Sequence, residues 1–479
     1  MVIGPTRRTV PAEPGLEHLH RYLDHRGSGL YLGSGPDGLA FAPPQHALLV
    51  LGPPRAGKTS GVVVPNVLAA TGAVVSTSTK PDVLEATVAR RGRMGRCWLL
   101  DPTATVAVPP GVTAARWSPV QACTTWDEAL VTVRSMVGAA RPFPGADASH
   151  WTERAEALLT PLLHAAATGG HDMEAVVRWV LRQDLDTPRA ELAGRGALAA
   201  DILAGLAATD GRELSGIWST AAGVLGAYRA DATLTAARQP NFDPRQLAGT
   251  ADTVYICAPA RHQALVAPIV VAFLEQVRAG AYERSAHGAP GPPVVLALDE
   301  VANVAPLPDL PALVSEGGGQ GVLTLACLQD LSQARSRWGH AADGFLSLFG
   351  TKLVLPGIAD LATVELVSRL GGEVDIPTRS VSRSPWWSAG RGAPTTTWST
   401  HRQRRLPVDA VSQQPAGSAL VLAGNRAPTR ISLPPWWRTP PFDAGARTKL
   451  PSPAPTRHQV DRSVSGRGRW AAPGDGLGR

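Results

Sequence analysis

Residues 47–60 read Ala47-Leu48-Leu49-Val50-Leu51-Gly52-Pro53-Pro54-Arg55-Ala56-Gly57-Lys58-Thr59-Ser60, and this stretch decides the fold. An apolar run of strand length feeds straight into Gly-x-x-x-x-Gly-Lys-Thr, and a helix-compatible segment follows, which is the layout of a phosphate-cradling loop. Gly52 lets the chain leave the strand in a tight turn. Gly57 brings backbone N–H groups close to a phosphate with no Cβ in the way. The Lys58 ammonium is suited to bridge the β- and γ-phosphates. The Thr59 hydroxyl suits one position on Mg²⁺, a hard ion that takes oxygen ligands in rigid octahedral geometry. Pro53 and Pro54 have no N–H to give, so the cradle falls mainly to Arg55, Ala56, Gly57, Lys58, Thr59 and Ser60. The chain holds four lysines, Lys58, Lys80, Lys352 and Lys449. With lysine so rare, a chance match to the motif is on the order of 1%. Nucleotide binding therefore outweighs a Gly/Pro surface turn.

Such a loop needs a carboxylate at the end of a neighbouring strand, and Val294-Val295-Leu296-Ala297-Leu298-Asp299-Glu300 supplies two. Asp299 at the strand tip is the candidate for holding Mg²⁺ through water, and Glu300 for polarising the attacking water. Adjacent acids after an apolar strand suit hydrolysis better than transfer to a bound metabolite, which needs an acceptor site of its own. The run from Val322 to Leu328 ends in Gln329, whose amide is placed to hydrogen-bond a γ-phosphate and report its loss.

Around these motifs, short apolar runs alternate with helical segments: Ala73 to Ser76 as strand, Asp82 to Arg90 as helix, Cys97 to Asp101 as strand. That alternation predicts an α/β fold with a parallel-rich sheet covered on both faces. Residues 124–248 change character and read as helix only. They open on the capping box Thr125-Trp126-Asp127-Glu128 and carry apolar stripes such as Leu158, Leu159, Leu162 and Leu163. They predict an all-α domain inserted into the α/β domain. The organisation is then a lead-in at 1–45 with a short β-ribbon, an α/β domain in two parts at 46–123 and 249–440, the insertion at 124–248, and a basic, disordered tail at 441–479.

The 479 residues are 44% hydrophobic and 18% charged, the balance of a soluble globular chain of two or three domains. Of 46 basic residues 42 are Arg, a bias that a GC-rich genome produces without any nucleic acid. Placement says more than the total of +7: residues 1–376 carry about −5, residues 377–405 +6 and residues 445–479 +5. The segment 377–405 interleaves Arg379, Arg383, Arg391, Arg402, Arg404 and Arg405 with Trp386, Trp387 and Trp398, and contains no acid. Loops of this kind grip phosphates and stack on bases, and equally serve as structural loops. Cys97, Cys123, Cys257 and Cys327 are far apart, as expected for buried thiols in a reducing compartment. No apolar signal core opens the chain. The uncharged run 60–79 is broken by Pro65, Asn66 and Gly72, so a spanning helix is not expected there.

In this order the motifs resemble the type IV coupling proteins (TraG/TraD-like), ATPases of conjugative DNA transfer. The resemblance runs from the glycine loop through Ser76-Thr77-Ser78-Thr79-Lys80-Pro81-Asp82-Val83, Asp101-Pro102 and Trp117-Ser118-Pro119, the Asp299–Gln329 block, and on to about residue 440. It implies a RecA-like motor with a helical insertion between its two nucleotide motifs. Mg-ATP hydrolysis would be coupled to delivery of DNA, with a bound relaxase, into a secretion channel. A homo-oligomer, a hexamer in this family, goes with it. Three departures matter. Family members usually carry N-terminal transmembrane helices and none is expected in this chain, so a cytoplasmic protein that reaches the inner face of the membrane only through a partner is implied. The family's Asp-x-Lys-Gly-Glu keeps only Lys80 and Asp82. Gly318 stands where an inter-subunit arginine is expected, leaving Arg335 or Arg337 as substitutes for a group that contributes roughly 10³-fold or more in rate. Protein cargo received by the helical stretch, and a nucleotide-binding scaffold with little turnover, remain alternatives.

Overall fold

Apolar runs of four to seven residues without polar alternation must be covered on both faces. In the computed structural model, which describes residues 8–10, 15–27, 29–140, 146–289, 291–382 and 394–444, they are. In chain order the strands are β1 (Arg8–Val10), β2 (Tyr31–Gly35), β3 (Gly38–Phe41), β4 (Leu48–Leu51), β5 (Val74–Ser78), β6 (Cys97–Leu100), β7 (Val112–Ala114) and β8 (Thr253–Cys257). There follow β9 (Val294–Leu298), β10 (Val322–Leu328), β11 (Thr351–Val354), β12 (Glu373–Ser382), β13 (Thr395–Arg404), β14 (Ser418–Ala423) and β15 (Thr429–Ser432). Among the described residues thirteen of them form one sheet, ordered β1-β3-β2-β15-β14-β11-β4-β10-β9-β5-β8-β6-β7. Every neighbouring pair from β11 to β7 is parallel. The flank beyond β11 is antiparallel throughout.

The strand alternation divides the core. Leu49 and Leu51 point into one apolar cluster, Leu48 and Val50 into the other. On the second face lie the helices Leu16–Arg26, Val64–Ala69 and Asp82–Arg91. On the first lies the helix Gln263–Ala286. Ala260–Ala286 is long and apolar enough to cross a membrane, but 78% of its most apolar 18-residue window is buried inside the protein, between the sheet and the helical region. The four cysteines are free and buried.

Residues 124–248 are helical as expected, from Trp126–Ala140 and Ala146–Gly169 to the short turn Pro244–Leu247. Thr125 Oγ1 accepts from Glu128 N at 3.4 Å, the half of the capping box that the helix start requires. The insertion does not have a core of its own. Phe273, from the long helix, stacks on Phe242 at 5.7 Å and meets Trp117 edge-on at 5.5 Å, so one apolar cluster runs from the sheet into the helices.

In the lead-in at 1–45 the ribbon β2–β3 leads into the core, joining the main sheet through Ser34, which pairs with Ser432 of β15. The basic stretch near 377–405 is not a plain loop, because β12 and β13 form a separate antiparallel ribbon, with Glu373 opposite Arg404 and Ser382 opposite Thr395. Arg383, Arg391, Trp386, Trp387 and the tail from residue 445 lie outside the described residues.

Candidate active site

The glycine loop leaves β4 where β10 ends: Gly52 N donates to Leu328 O at 3.1 Å. A Cβ on Gly52 would stand 2.9 Å from the Cβ of Leu355, so the turn is pressed against the next strand's exit. Gly57 has φ +97 with open space around it, so its requirement is conformational rather than steric. The helix behind the loop begins with a π turn, Thr59–Val63, and continues as Val64–Ala69. Pro65 therefore falls in the first turn of the α segment, where its missing N–H is tolerated. The Lys58 ammonium is buried and folded back onto the loop, donating to Gly52 O at 2.6 Å and Pro53 O at 3.0 Å.

Asp299 meets this loop. Thr59 Oγ1 donates to Asp299 Oδ2 at 2.6 Å, across 240 residues of chain. The two are not on neighbouring strands as the sequence reading had it: β10 lies between β4 and β9. Because all three strands are parallel, their tips still share one edge, the edge where ligands bind in such sheets. Burial pushes the Asp299 carboxyl up to about 6, with the Thr59 hydrogen bond opposing and Glu300 adding to the rise. Thr77 Oγ1 donates to the backbone oxygen of Asp299 at 3.1 Å from the tip of β5. Nothing in the sequence marked Thr77 beyond its place at a strand end.

Glu300 adopts φ 55, ψ 47, a left-handed conformation that a non-glycine residue holds only against a cost. Its backbone oxygen accepts from Asn303 N and Val304 N, both at 3.0 Å, and its carboxylate accepts from Asn303 Nδ2 at 3.4 Å. The kink turns Glu300 out of the line of β9 while Asp299 stays buried. Gln329 follows Leu328, whose register partner is Leu51, so it stands directly beside the start of the loop. Its backbone N–H donates to Gln333 Oε1 at 2.9 Å.

Two further residues hold the loop's surroundings. Asn66 is buried in the helix behind the loop; its Oδ1 accepts from Tyr31 N at 2.7 Å, and its Nδ2 donates to Tyr31 O at 3.0 Å and Val62 O at 2.9 Å. A polar side chain in an otherwise apolar helix was the available signal. In the divergent segment, Ser78 Oγ donates to Asp82 Oδ1 at 3.2 Å and accepts from Lys80 N at 3.3 Å, leaving the Lys80 side chain exposed.

Gly318 lies just before β10, at the opposite end of the strands from the loop. A Cβ there would stand 2.0 Å from Gln45 O, so the position excludes an arginine on packing grounds. Arg337 is held by the carbonyl of Ala139, with burial pulling its pKa down to about 10, and Arg335 pairs with Asp343 at 3.0 Å.

The basic candidates on the ribbon divide. Arg404 grips Glu365 with two hydrogen bonds, at 2.9 and 2.8 Å, and Arg402 pairs with Glu373 at 2.6 Å. The backbone N–H of Arg405 donates to Gly372 O at 2.8 Å while its side chain is exposed. Arg379 is exposed and forms no ion pair among the described residues.

Comparison with known proteins agrees with this architecture. No curated protein matches the chain by sequence alone. The chain resembles the solved bacterial conjugative coupling protein TrwBdeltaN70 in its unbound monoclinic form at 19% identity, covering 88% of this chain and 92% of that one with a TM-score of 0.66. It is similarly close to plasmid coupling protein TrwB in complex with the ATP analogue ADPNP (19% identity, 90% and 95% covered, TM-score 0.65). The same protein with ADP and Mg²⁺ matches at 19% identity over 81% and 85%, with a TM-score of 0.60. These likenesses carry the fold: a P-loop α/β sheet with an all-α insertion. The sequence profile for type IV secretory system conjugative DNA transfer spans residues 17–459, and the chain belongs to that family.

Proposed function

We propose that this chain is a Mg²⁺-dependent ATPase that drives DNA, with any protein bound to it, into a type IV secretion channel. The observation that carries the reading is the 2.6 Å hydrogen bond from Thr59 to Asp299, which closes one site from two motifs far apart in the chain. The backbone N–H groups of Arg55 to Ser60 and the Lys58 ammonium hold the phosphates, Lys58 exchanging the carbonyls of Gly52 and Pro53 for phosphate oxygens. The donor set fits a hard divalent ion: a hydroxyl oxygen beside a carboxylate that burial holds above its ordinary pKa. Thr59 and Asp299 would hold Mg²⁺, which when bound neutralises charge on the phosphate oxygens. Glu300, held apart from Asp299 by its left-handed backbone, orients and polarises the attacking water. Gln329, beside the loop, contacts the terminal phosphate and passes its loss to the helix Leu331–Trp338. The solved TrwB complexes with ADPNP and with ADP and Mg²⁺ support this assignment by analogy of fold.

In this reading residues 46–123 and 249–440 form the motor and 124–248 the insertion. Copies of the chain assemble into a ring, a hexamer by family analogy, that works on the cytoplasmic side and meets the membrane through a partner. Relaxase and secretion-channel components are the other partners. The test is phosphate release from Mg-ATP by the full chain, with and without single-stranded DNA, beside Lys58→Ala. Stimulation by DNA that Lys58→Ala abolishes is expected. Stimulation by a protein cargo instead, with none by DNA, overturns the DNA reading. A second reading, a nucleotide-binding scaffold with little turnover, is favoured by the closed packing at Gly318. Turnover above the uncatalysed rate rejects it.

A further inference from the structure

Among the described residues nothing covers the ribbon β12–β13. Every residue from Glu373 to Ser382 is exposed, and so is each from Thr396 to Gln403. A two-stranded ribbon standing alone in water is marginal, so what roots this one matters. The roots are at its base. Arg404 is locked to Glu365 and reaches Ser368 Oγ at 3.3 Å, and Ser368 Oγ in turn donates to Leu406 O at 2.6 Å.

Residues directly opposite in an antiparallel pair share a face. One face therefore carries, from base outward, Glu373 with Arg404, Asp375 with Arg402, Pro377 with Thr400, Arg379 with Trp398, and Val381 with Thr396. Charge along it is graded. At the base Arg402 and Arg404 are spent on Glu373 and Glu365. Beyond Asp375 the segment to Arg405 contains no acid. The first unspent pair is Arg379 and Trp398, and Trp398 is 67% exposed. A guanidinium with no ion pair among the described residues, beside an exposed indole on a rooted arm that carries no acid beyond Asp375, matches a strand that offers phosphates and open base faces together. A duplex offers the phosphates but hides its base faces in the stack.

We infer that Trp398 and Arg379 form a grip for single-stranded DNA, in which the indole stacks on a base and the guanidinium contacts a backbone phosphate. Arg402 and Arg404 belong to the arm's foundation and not to the grip. The inference rests on the DNA reading above and narrows it to one form of DNA and two side chains.

The experiment measures binding of the full chain to an oligothymidylate and to a duplex of similar length, for the unaltered protein, Trp398→Ala, Trp398→Phe and Arg379→Ala. Thermal unfolding serves as the folding control. Trp398→Ala is expected to weaken oligothymidylate binding about tenfold, in the range of one lost base stack, and to leave duplex binding unchanged. Trp398→Phe retains most of the affinity. Arg379→Ala lowers the slope of log affinity against log salt by about 0.7, one phosphate's share on a single strand. Oligothymidylate affinity unchanged in Trp398→Ala overturns the grip while leaving the DNA reading intact. Equal losses on both DNA forms, or a loss of self-association in place of DNA affinity, also overturn it. An unaltered chain that binds neither form fails the DNA reading itself, and the inference with it.

Discussion

The nucleotide site and the ribbon are opposite kinds of structure. At the site Asp299 and the glycine loop are each fixed by more than one neighbour: Asp299 by Thr59 at its carboxylate and by Thr77 at its backbone, the loop by Leu328 at its start and by Leu355 against its turn. On the ribbon only the base is fixed, and the outer residues touch little of their own chain. Preorganised groups suit a reaction whose charge develops at one place. An arm with a rooted base and an open outer face suits a partner that moves. Held against each other, the two regions set apart the side chains proposed for the chemistry from those proposed for the cargo.

The contrast breaks first at Asn66. Replacing it by Ala leaves Tyr31 N–H and C=O unpaired inside the protein, a loss of about 2–4 kcal/mol that denaturant titration measures. An equally damaging change among the outer residues of the ribbon would erase the distinction between a fixed site and a free arm.

Asp299 gives the next largest effect, through pH. Its carboxyl is raised to about 6 in the folded chain against about 3.9 when unfolded. A raised acid stabilises the fold fully below the unfolded value and loses that contribution as pH rises through the folded one. The nucleotide-free chain should therefore lose up to about 3 kcal/mol between pH 4 and pH 7 from this group, and Asp299→Asn should flatten that part of the profile. A profile unaltered in Asp299→Asn places the titration elsewhere.

Thr77→Val tests whether support behind the site matters. It removes the hydrogen bond to the backbone of Asp299 and should lower turnover about tenfold with the fold intact, the size of effect expected behind a residue proposed to hold Mg²⁺. The smallest effect is expected at Arg404→Ala. The chain's unfolding midpoint should barely change, while limited proteolysis cuts within 373–404 sooner because the arm has lost its root.

The legible parts of the sequence were those in which local chemistry dictates backbone. Gly-x-x-x-x-Gly-Lys-Thr after an apolar run, and Asp299-Glu300 after another, announce a turn and a strand tip by themselves. The sequence did not reveal that β10 separates the two strands, because strand order depends on long-range pairing. Asn66 and Thr77 were missed for the same reason: their partners, Tyr31 and Asp299, are distant in the chain and leave no local pattern. The ribbon escaped as well, since its few apolar residues (Val374 and Ile376 on one face, Val381 and Trp398 on the other) and Pro377 in one strand give no sustained alternation to read. Gly318 was noticed as an absence; the structure adds that Gln45 closes the position.

The most direct test of the central claim is Glu300→Gln, with ATP binding and phosphate release measured on the same protein. The account predicts ATP bound as by the unaltered chain and turnover reduced by about 10²–10⁴-fold, the range for losing a group that activates water. Turnover that persists in Glu300→Gln would contradict it, because the water would then be activated somewhere other than beside Asp299 and the glycine loop.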